Sequence, residues 1–305
     1  MAKNIQTYLH NNGLAPIQFS NRTLSRGAPL EKLNGKPSSS IAELVQSSDI
    51  IFISVSNDEA LQDVFKQIIS SGSIEGKILV DTTTVHPNTS SNIAAQTQEA
   101  GASFIAAPVF GASPVAETGQ LLVAVAGPDA AIETISPLLK GVIARNVIHV
   151  GSEPSKALLL KTTSNFITGG LMYLISEAHV LAEKSGLPDT VLESLIEQNF
   201  GAYAHGVSKR MTQGVYYPAD GERPYSDLDL GIKDVGHGVG IAKELGMNLE
   251  IGELSLHAMS KAKEYGEEKG RKLDSSSAYG AVRMNAGLDF ENRRVKERDD
   301  DSMEK

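Results

Sequence analysis

Up to residue 151 the apolar positions come as short runs rich in Ile, Val and Phe, each bounded by Gly, Pro, Asn or Asp. The runs PIQFS (16–20), DIIFISV (49–55), KILVD (77–81), SFIAAPV (103–109), LLVAVAG (121–127) and NVIHVG (146–151) predict strands. Between them, patterns of helical period fall at about 41–48, 58–70, 88–100 and 129–139. Pro87-Asn88 and Pro128-Asp129 are good helix openers. Alternation of strand and helix predicts an α/β unit with a largely parallel sheet covered by helices.

After Gly151-Ser152-Glu153-Pro154 the period changes, and no convincing strand follows as far as about residue 290. A helix of about thirty residues is predicted over 155–186, with others near 189–199, 201–213, 230–246, 250–266 and 274–284. The expected organisation is a Rossmann-like domain over 1–152 and an all-α domain over 153–290. The last fifteen residues, 291–305, carry eleven charges and are expected to form a solvated tail.

The run ALLLKTTSNFITGGLMYLI sets Lys161 after three leucines, with Asn165 four residues on. Helical spacing puts the two on one face, a turn apart. An ammonium among leucines is costly unless it is paired or used, and desolvation brings a lysine toward proton exchange near neutral pH. Lys161 is therefore a candidate for chemistry. The competing reading is a lysine whose head reaches solvent at the helix edge.

Charge removes several function classes. The balance is 28 − 37 = −9, so no general basic field serves nucleic acid or an anionic membrane. Absence of cysteine excludes disulfides, thiolate metal sites and cysteine nucleophiles. The seven histidines show no metal-ligand spacing, and no metal is expected. No run of 18 apolar residues occurs, and the opening residues resemble neither a signal peptide nor a transit peptide, so a cytoplasmic location is expected.

Five segments in order, NRT (21–23), DTTTVHPNTS (81–90), APVFGASPVAETGQL (107–121), KTTSN (161–165) and GIKDVGHGVGIA (231–242), resemble the β-hydroxyacid dehydrogenase family. That family includes 3-hydroxyisobutyrate dehydrogenases and glyoxylate/succinic semialdehyde reductases, and its cofactor domain is of the 6-phosphogluconate dehydrogenase type. The resemblance spans nearly the whole chain. It implies hydride transfer between a nicotinamide cofactor and a short hydroxy or oxo acid, with Lys161 as proton donor and acceptor and Asn165 as its partner.

The family opens with a strand and a Gly-x-Gly-x-x-Gly turn that meets the pyrophosphate, followed by a helix beginning near Met-Ala-x-Asn. This sequence starts at Met1-Ala2-Lys3-Asn4, so the first strand and the glycine-rich turn are expected to be missing. The chain is then expected to fold poorly or to leave a gap in the sheet. Both a truncated sequence and a functional loss of the loop fit this expectation. Gly236-His237-Gly238-Val239-Gly240 follows no strand and reads as a decoy.

Asn21-Arg22-Thr23 offers no acid for a ribose 2′-hydroxyl; an arginine with two small donors suits a 2′-phosphate, so NADP is the expected cofactor. An ordinary surface arginine is the alternative. By resemblance, Val55 and Ser56 lie near the adenine-side ribose and pyrophosphate, Thr84 meets the nicotinamide half, and Lys233 closes over the cofactor. On the substrate side the family has Ser-Gly-Gly where this chain has Phe110-Gly111-Ala112. Phe110 removes a hydroxyl and adds apolar bulk, while Gly111, Ala112 and Ser113 still offer amides and one hydroxyl. The expected pocket is less suited to a small, highly charged acid. The expected partners are a small molecule and further copies of the chain. A non-catalytic relative serving as a dimerisation or binding module is the second reading.

Overall fold

The computed structural model describes residues 1–303, with side chains described as far as residue 300. The chain divides into two compact units, Met1–Lys161 and Thr162–Lys305. In the first, the strands are β1 (Gln18–Phe19), β2 (Lys36–Pro37), β3 (Ile50–Ile53), β4 (Ile78–Asp81), β5 (Ser103–Ala106), β6 (Val109–Phe110), β7 (Leu121–Ala126) and β8 (Ala144–Gly151). Its helices are α1 (Ala2–Asn11), α2 (Ala28–Glu31), α3 (Ile41–Gln46), α4 (Asp58–Ser70), α5 (Pro87–Glu99), α6 (Ser113–Glu117) and α7 (Asp129–Ile135). The long helix α8 (Pro154–Ser185) begins in this unit and continues into the next.

The strands form two sheets. β1 pairs with β2 in parallel, and a six-stranded sheet runs β3-β4-β5-β7-β6 with β8 on β7. β3, β4 and β5 are mutually parallel, β7 meets β5 and β6 antiparallel, and β8 is parallel to β7. Among the described residues no ladder joins the β1–β2 pair to the larger sheet, of which β3 is an edge strand.

Central strands bury both faces, so they read as continuous apolar runs rather than alternating ones. Leu79 and Val80 are both fully buried, but on opposite faces. Leu79 joins Ile51, Ile53 and Phe104 in one core cluster, and Val80 joins Ile105 and Val123 in the other. Helix starts are set by side-chain caps. Ser40 Oγ accepts from Glu43 N (3.1 Å), and Asn57 Oδ1 accepts from Ala60 N (2.9 Å). The first unit extends to Lys161 because Ala157 and Leu158, in the opening turns of α8, are buried in its core.

The second unit is helical: the rest of α8, then α9 (Asp189–Thr212), α10 (Leu228–Glu244), α11 (Glu250–Glu268), α12 (Ala278–Asn285) and α13 (Arg293–Met303). The two helices predicted on either side of residue 200 are one run with a kink at Gly201, whose φ of 81° and ψ of 177° suit a residue without Cβ. The core centres on Tyr216, Tyr279 and Phe290; Tyr216 OH donates to Phe290 O (2.9 Å) and accepts from Asn292 N (2.7 Å).

The expected solvated tail is instead largely helix. Asn292 Oδ1 caps α13 by accepting from Val295 N (3.0 Å), its Nδ2 donates to Met211 O (3.0 Å), and Val295 is buried in the core. One apolar side chain with a good cap anchors a segment that its charge count marks as solvated. Residues 304 and 305 lie outside the described residues.

Candidate active site

Three of the expected cofactor segments each follow the last residue of a strand: 20–23 after β1, 54–57 after β3 and 82–86 after β4. Ligands of open α/β sheets gather at strand C-termini, where loops leave the rigid frame. Asn21, Arg22 and Thr23 are exposed. Asn21 Nδ2 donates to Thr23 O (3.2 Å), which shapes the turn and leaves the Arg22 guanidinium with no ion pair among the described residues. Behind them Gly27 lies against the Phe19 ring; a Cβ there would sit 2.0 Å from Phe19 Cε2.

The loops after β3 and β4 are tied together. Thr82 Oγ1 donates to Ile53 O (2.9 Å), and Val55 N donates to Thr83 Oγ1 (3.1 Å). The amide of Val55 is thus committed within the protein, while the Ser56 side chain is exposed. Thr84 is half-buried beside them.

Lys161 lies in the first unit with its Nζ 5.0 Å from the centroid of the Phe110 ring. Phe110 and Leu160 both pack against the apolar cluster that holds Ala157 and Leu158. The ring's negative face holds the ammonium, an attraction of about 0.5–2 kcal/mol depending on desolvation. After Phe110 the chain turns at Gly111, whose φ of 131° and close neighbours exclude a side chain: a Cβ would lie 2.9 Å from Leu121 Cδ2. Ala112 N-caps α6, and Ser113 opens it. Phe110, Gly111, Ala112 and Ser113 thus form one corner beside Lys161.

Asn165, one turn beyond Lys161 on α8, belongs to the second unit. Its Nδ2 donates to Asp234 Oδ2 (2.9 Å), and Lys233 Nζ pairs with Asp234 Oδ1 (2.7 Å). One carboxylate therefore bridges Asn165 and Lys233. Because the Asn165 nitrogen is committed to Asp234, its Oδ1 is the end left to accept from other groups. The bridge needs α8 and α10 to approach closely, and glycines at the crossing permit this. A Cβ on Gly169 would lie 2.9 Å from Val235 Cγ2, and one on Gly238 would lie 3.3 Å from Thr162 Cγ2. The Gly236–Gly240 cluster is therefore helical, and Gly238 serves helix packing. Sequence reasoning passed over Asp234, although it stands beside Lys233 in the same motif.

A largely parallel α/β unit with candidate ligand loops at its strand ends, followed by a helical unit, is an architecture suited to binding a dinucleotide. Residues 1–151 match the family model of the NAD binding domain of 6-phosphogluconate dehydrogenase. Over 252 residues the chain is 31% identical to glyoxylate/succinic semialdehyde reductase 2, chloroplastic, of Arabidopsis thaliana, covering 81% of this chain and 68% of that one. It is 29% identical over 293 residues to the NADH-dependent oxidoreductase ucdB of Aspergillus ustus, covering 95% and 97%. Its fold is shared with a 3-hydroxyisobutyrate dehydrogenase of Salmonella typhimurium, with a TM-score of 0.77, 22% identity, and 91% and 94% of the two chains covered. The chain belongs to the β-hydroxyacid dehydrogenase family. It is an NAD(P)-dependent oxidoreductase acting on CH–OH groups. Among the described residues no helix is long and apolar enough to cross a membrane.

Proposed function

We propose that the protein interconverts a short-chain hydroxy acid and its aldehyde or oxo acid with NADP, and that Lys161 moves the proton. The observation that carries this reading is the Lys161 ammonium lodged on the Phe110 ring, which packs against the apolar cluster of Ala157 and Leu158. When bound, the cofactor supplies the hydride. Lys161 Nζ gives a proton to the carbonyl oxygen as negative charge develops there, and takes it back in the oxidative direction. Asn165 orients the lysine or the substrate oxygen, with Asp234 fixing which end of its amide is available. Phe110 presents a face without hydrogen-bond donors, so the substrate group beside it is apolar. Gly111, Ala112 and Ser113 supply the polar contacts of that corner.

For the cofactor, Arg22 with Asn21 and Thr23 would hold a 2′-phosphate, Val55 and Ser56 the adenosine side, Thr84 the nicotinamide side, and Lys233 a cofactor oxygen. Support comes from an exposed guanidinium without an ion pair among the described residues and from the absence of an acid at 21–23. Arg22→Ala is expected to weaken NADPH by about 1.5–3 kcal/mol, the worth of a charge-assisted hydrogen bond, and to leave NADH nearly unchanged. Fluorescence titration of both cofactors tests this; equal losses for the two would remove Arg22 from the 2′-phosphate. Absence of saturable NADPH binding would sink the NADP assignment itself.

The protein acts as a homo-oligomer in this reading. Ile167, Leu174 and Leu181 stand seven residues apart on α8 and are 59%, 61% and 71% exposed. Heptad spacing keeps them on one stripe about 21 Å long, a length and period suited to packing against the same helix of a second copy. Leu174→Glu is expected to convert the oligomer to monomer in light scattering. An unchanged mass would rule out this face.

A further inference from the structure

The loop network at the end of β4 contains an ionisable group for which the mechanism above has no use. Asp81 closes β4 and is fully buried. Its Oδ1 accepts from Thr83 N (3.0 Å). Thr83 Oγ1 accepts from Val55 N (3.1 Å), so the single hydroxyl proton of Thr83 is left to bond Asp81. Asp81 Oδ2 is buried and has no hydrogen-bond partner among the described residues. The strands on either side, β3 (IIFI) and β5 (SFIA), bring no titratable side chain. The charged group whose field reaches Asp81 is Asp58, of the same sign; its own carboxylate accepts from His86 N (2.8 Å). Among the described residues no cation compensates an ionised Asp81.

We propose that Asp81 is a proton-linked positioning residue: as a neutral acid it holds, through Thr83, the backbone at Val55, and its ionisation weakens binding of the anionic dinucleotide. The proposal rests on the reading that residues 55 and 56 lie beside the cofactor. Asp81 touches neither substrate nor cofactor and acts through Thr83. Burial is the main cause that raises its pKa from 3.8 to about 7; the Thr83 bonds oppose the shift, and Asp58 adds to it. Ionisation thus falls in the neutral range. It places a buried negative charge in the network that carries the phosphate-side loop, where low dielectric leaves repulsion poorly screened. Linkage is reciprocal, so a bound anion also favours the protonated carboxyl.

The sign for stability follows from the same shift. The folded-state pKa lies above the unfolded value, so folding binds a proton between pH 3.8 and about 7. Stability due to Asp81 is greatest below pH 4 and is lost as pH rises toward 7. Asp81→Asn keeps an oxygen acceptor for Thr83 and mimics the neutral acid at every pH.

NADPH titrations between pH 5.5 and 8.5, with melting curves over the same range, test the proposal. The unaltered protein is expected to lose affinity by roughly tenfold as pH rises, a typical size for coupled sites. Asp81→Asn is expected to bind as the low-pH form throughout. Comparison of the two removes any contribution from the 2′-phosphate's own titration. Thr83→Val is expected to bind weakly at every pH while keeping the pH slope, and Thr83→Ser to restore affinity. The melting temperature of Asp81→Asn relative to the unaltered protein is expected to rise with pH. Parallel affinity profiles for the unaltered protein and Asp81→Asn would overturn the linkage. A pH-independent melting difference would overturn the neutral, buried acid. No saturable NADPH binding in any form would overturn the cofactor reading and the linkage together, while the melting series still decides the state of Asp81.

Discussion

Replacing Lys161 with alanine is expected to lower kcat by about a hundredfold to ten-thousandfold, the usual worth of a positioned acid or base. Cofactor affinity should change by less than about twofold, since a residue that acts on the forming alkoxide stabilises the transition state and not the bound cofactor. The reason lies in the setting. Nζ stands over the Phe110 ring at 5.0 Å, and that ring together with Leu160 packs on the cluster around Ala157 and Leu158. Among Phe110, Gly111, Ala112 and Ser113, none carries an ionisable acid that could replace the ammonium. Steady-state rates in both directions, with Kd for NADPH from fluorescence, separate the two effects. Retained turnover would remove Lys161 from the chemistry; a parallel loss of cofactor binding would make its role structural.

The largest stability effect is expected at Asp274. This carboxylate is fully buried at the junction of the 214–227 loop with the segment before α12. Oδ1 accepts from Ser276 N (3.0 Å) and pairs with Arg210, and Oδ2 accepts from Ser226 N (2.9 Å). Ser275 N also donates to Ser226 O (2.7 Å), so one acid fastens two loops and a helix. Asp274→Ala removes the acceptor of Ser226 N and the counter-charge of Arg210, which keeps only its bond to Ser275 Oγ (3.2 Å) among the described residues, and a loss of about 3–5 kcal/mol is expected. Removing both charges together, as Arg210→Met with Asp274→Leu, should cost less, because no uncompensated charge remains. Denaturant unfolding of the three proteins measures this. A double variant less stable than Asp274→Ala would mean that the ion pair itself stabilises the unit.

Much of this was visible in the order of residues. Strand cores such as Ile78–Asp81 were readable because parallel strands buried on both faces are short continuous apolar runs. Helix α4 (Asp58–Ser70) lies where the helical period places it, at about 58–70, and Asn57 caps it. The tail differs from its expectation because charge is counted over a segment, whereas docking depends on particular side chains: Asn292, Val295 and Arg298, whose Nη1 donates to Tyr217 O (2.9 Å). Asp81 and Asp234 drew no attention for a related reason. An aspartate's role depends on what surrounds it, and neither burial without a cation nor a shared carboxylate leaves a mark on local pattern.

By itself the sequence determined the α/β-then-α order, the candidate lysine and asparagine one turn apart, and the absence of an acid at 21–23. These follow from periodicities and residue types that act over a few positions. Only tertiary structure decided that Phe110 faces the Lys161 ammonium, that Asp234 joins Asn165 to Lys233, and that Asp81 reaches Val55 through Thr83. Each of these joins residues 26 to 69 positions apart or more finely spaced groups brought together by a sheet or a helix crossing, and close approach there depends on packing, such as that at Gly169 and Gly238, which no local pattern encodes.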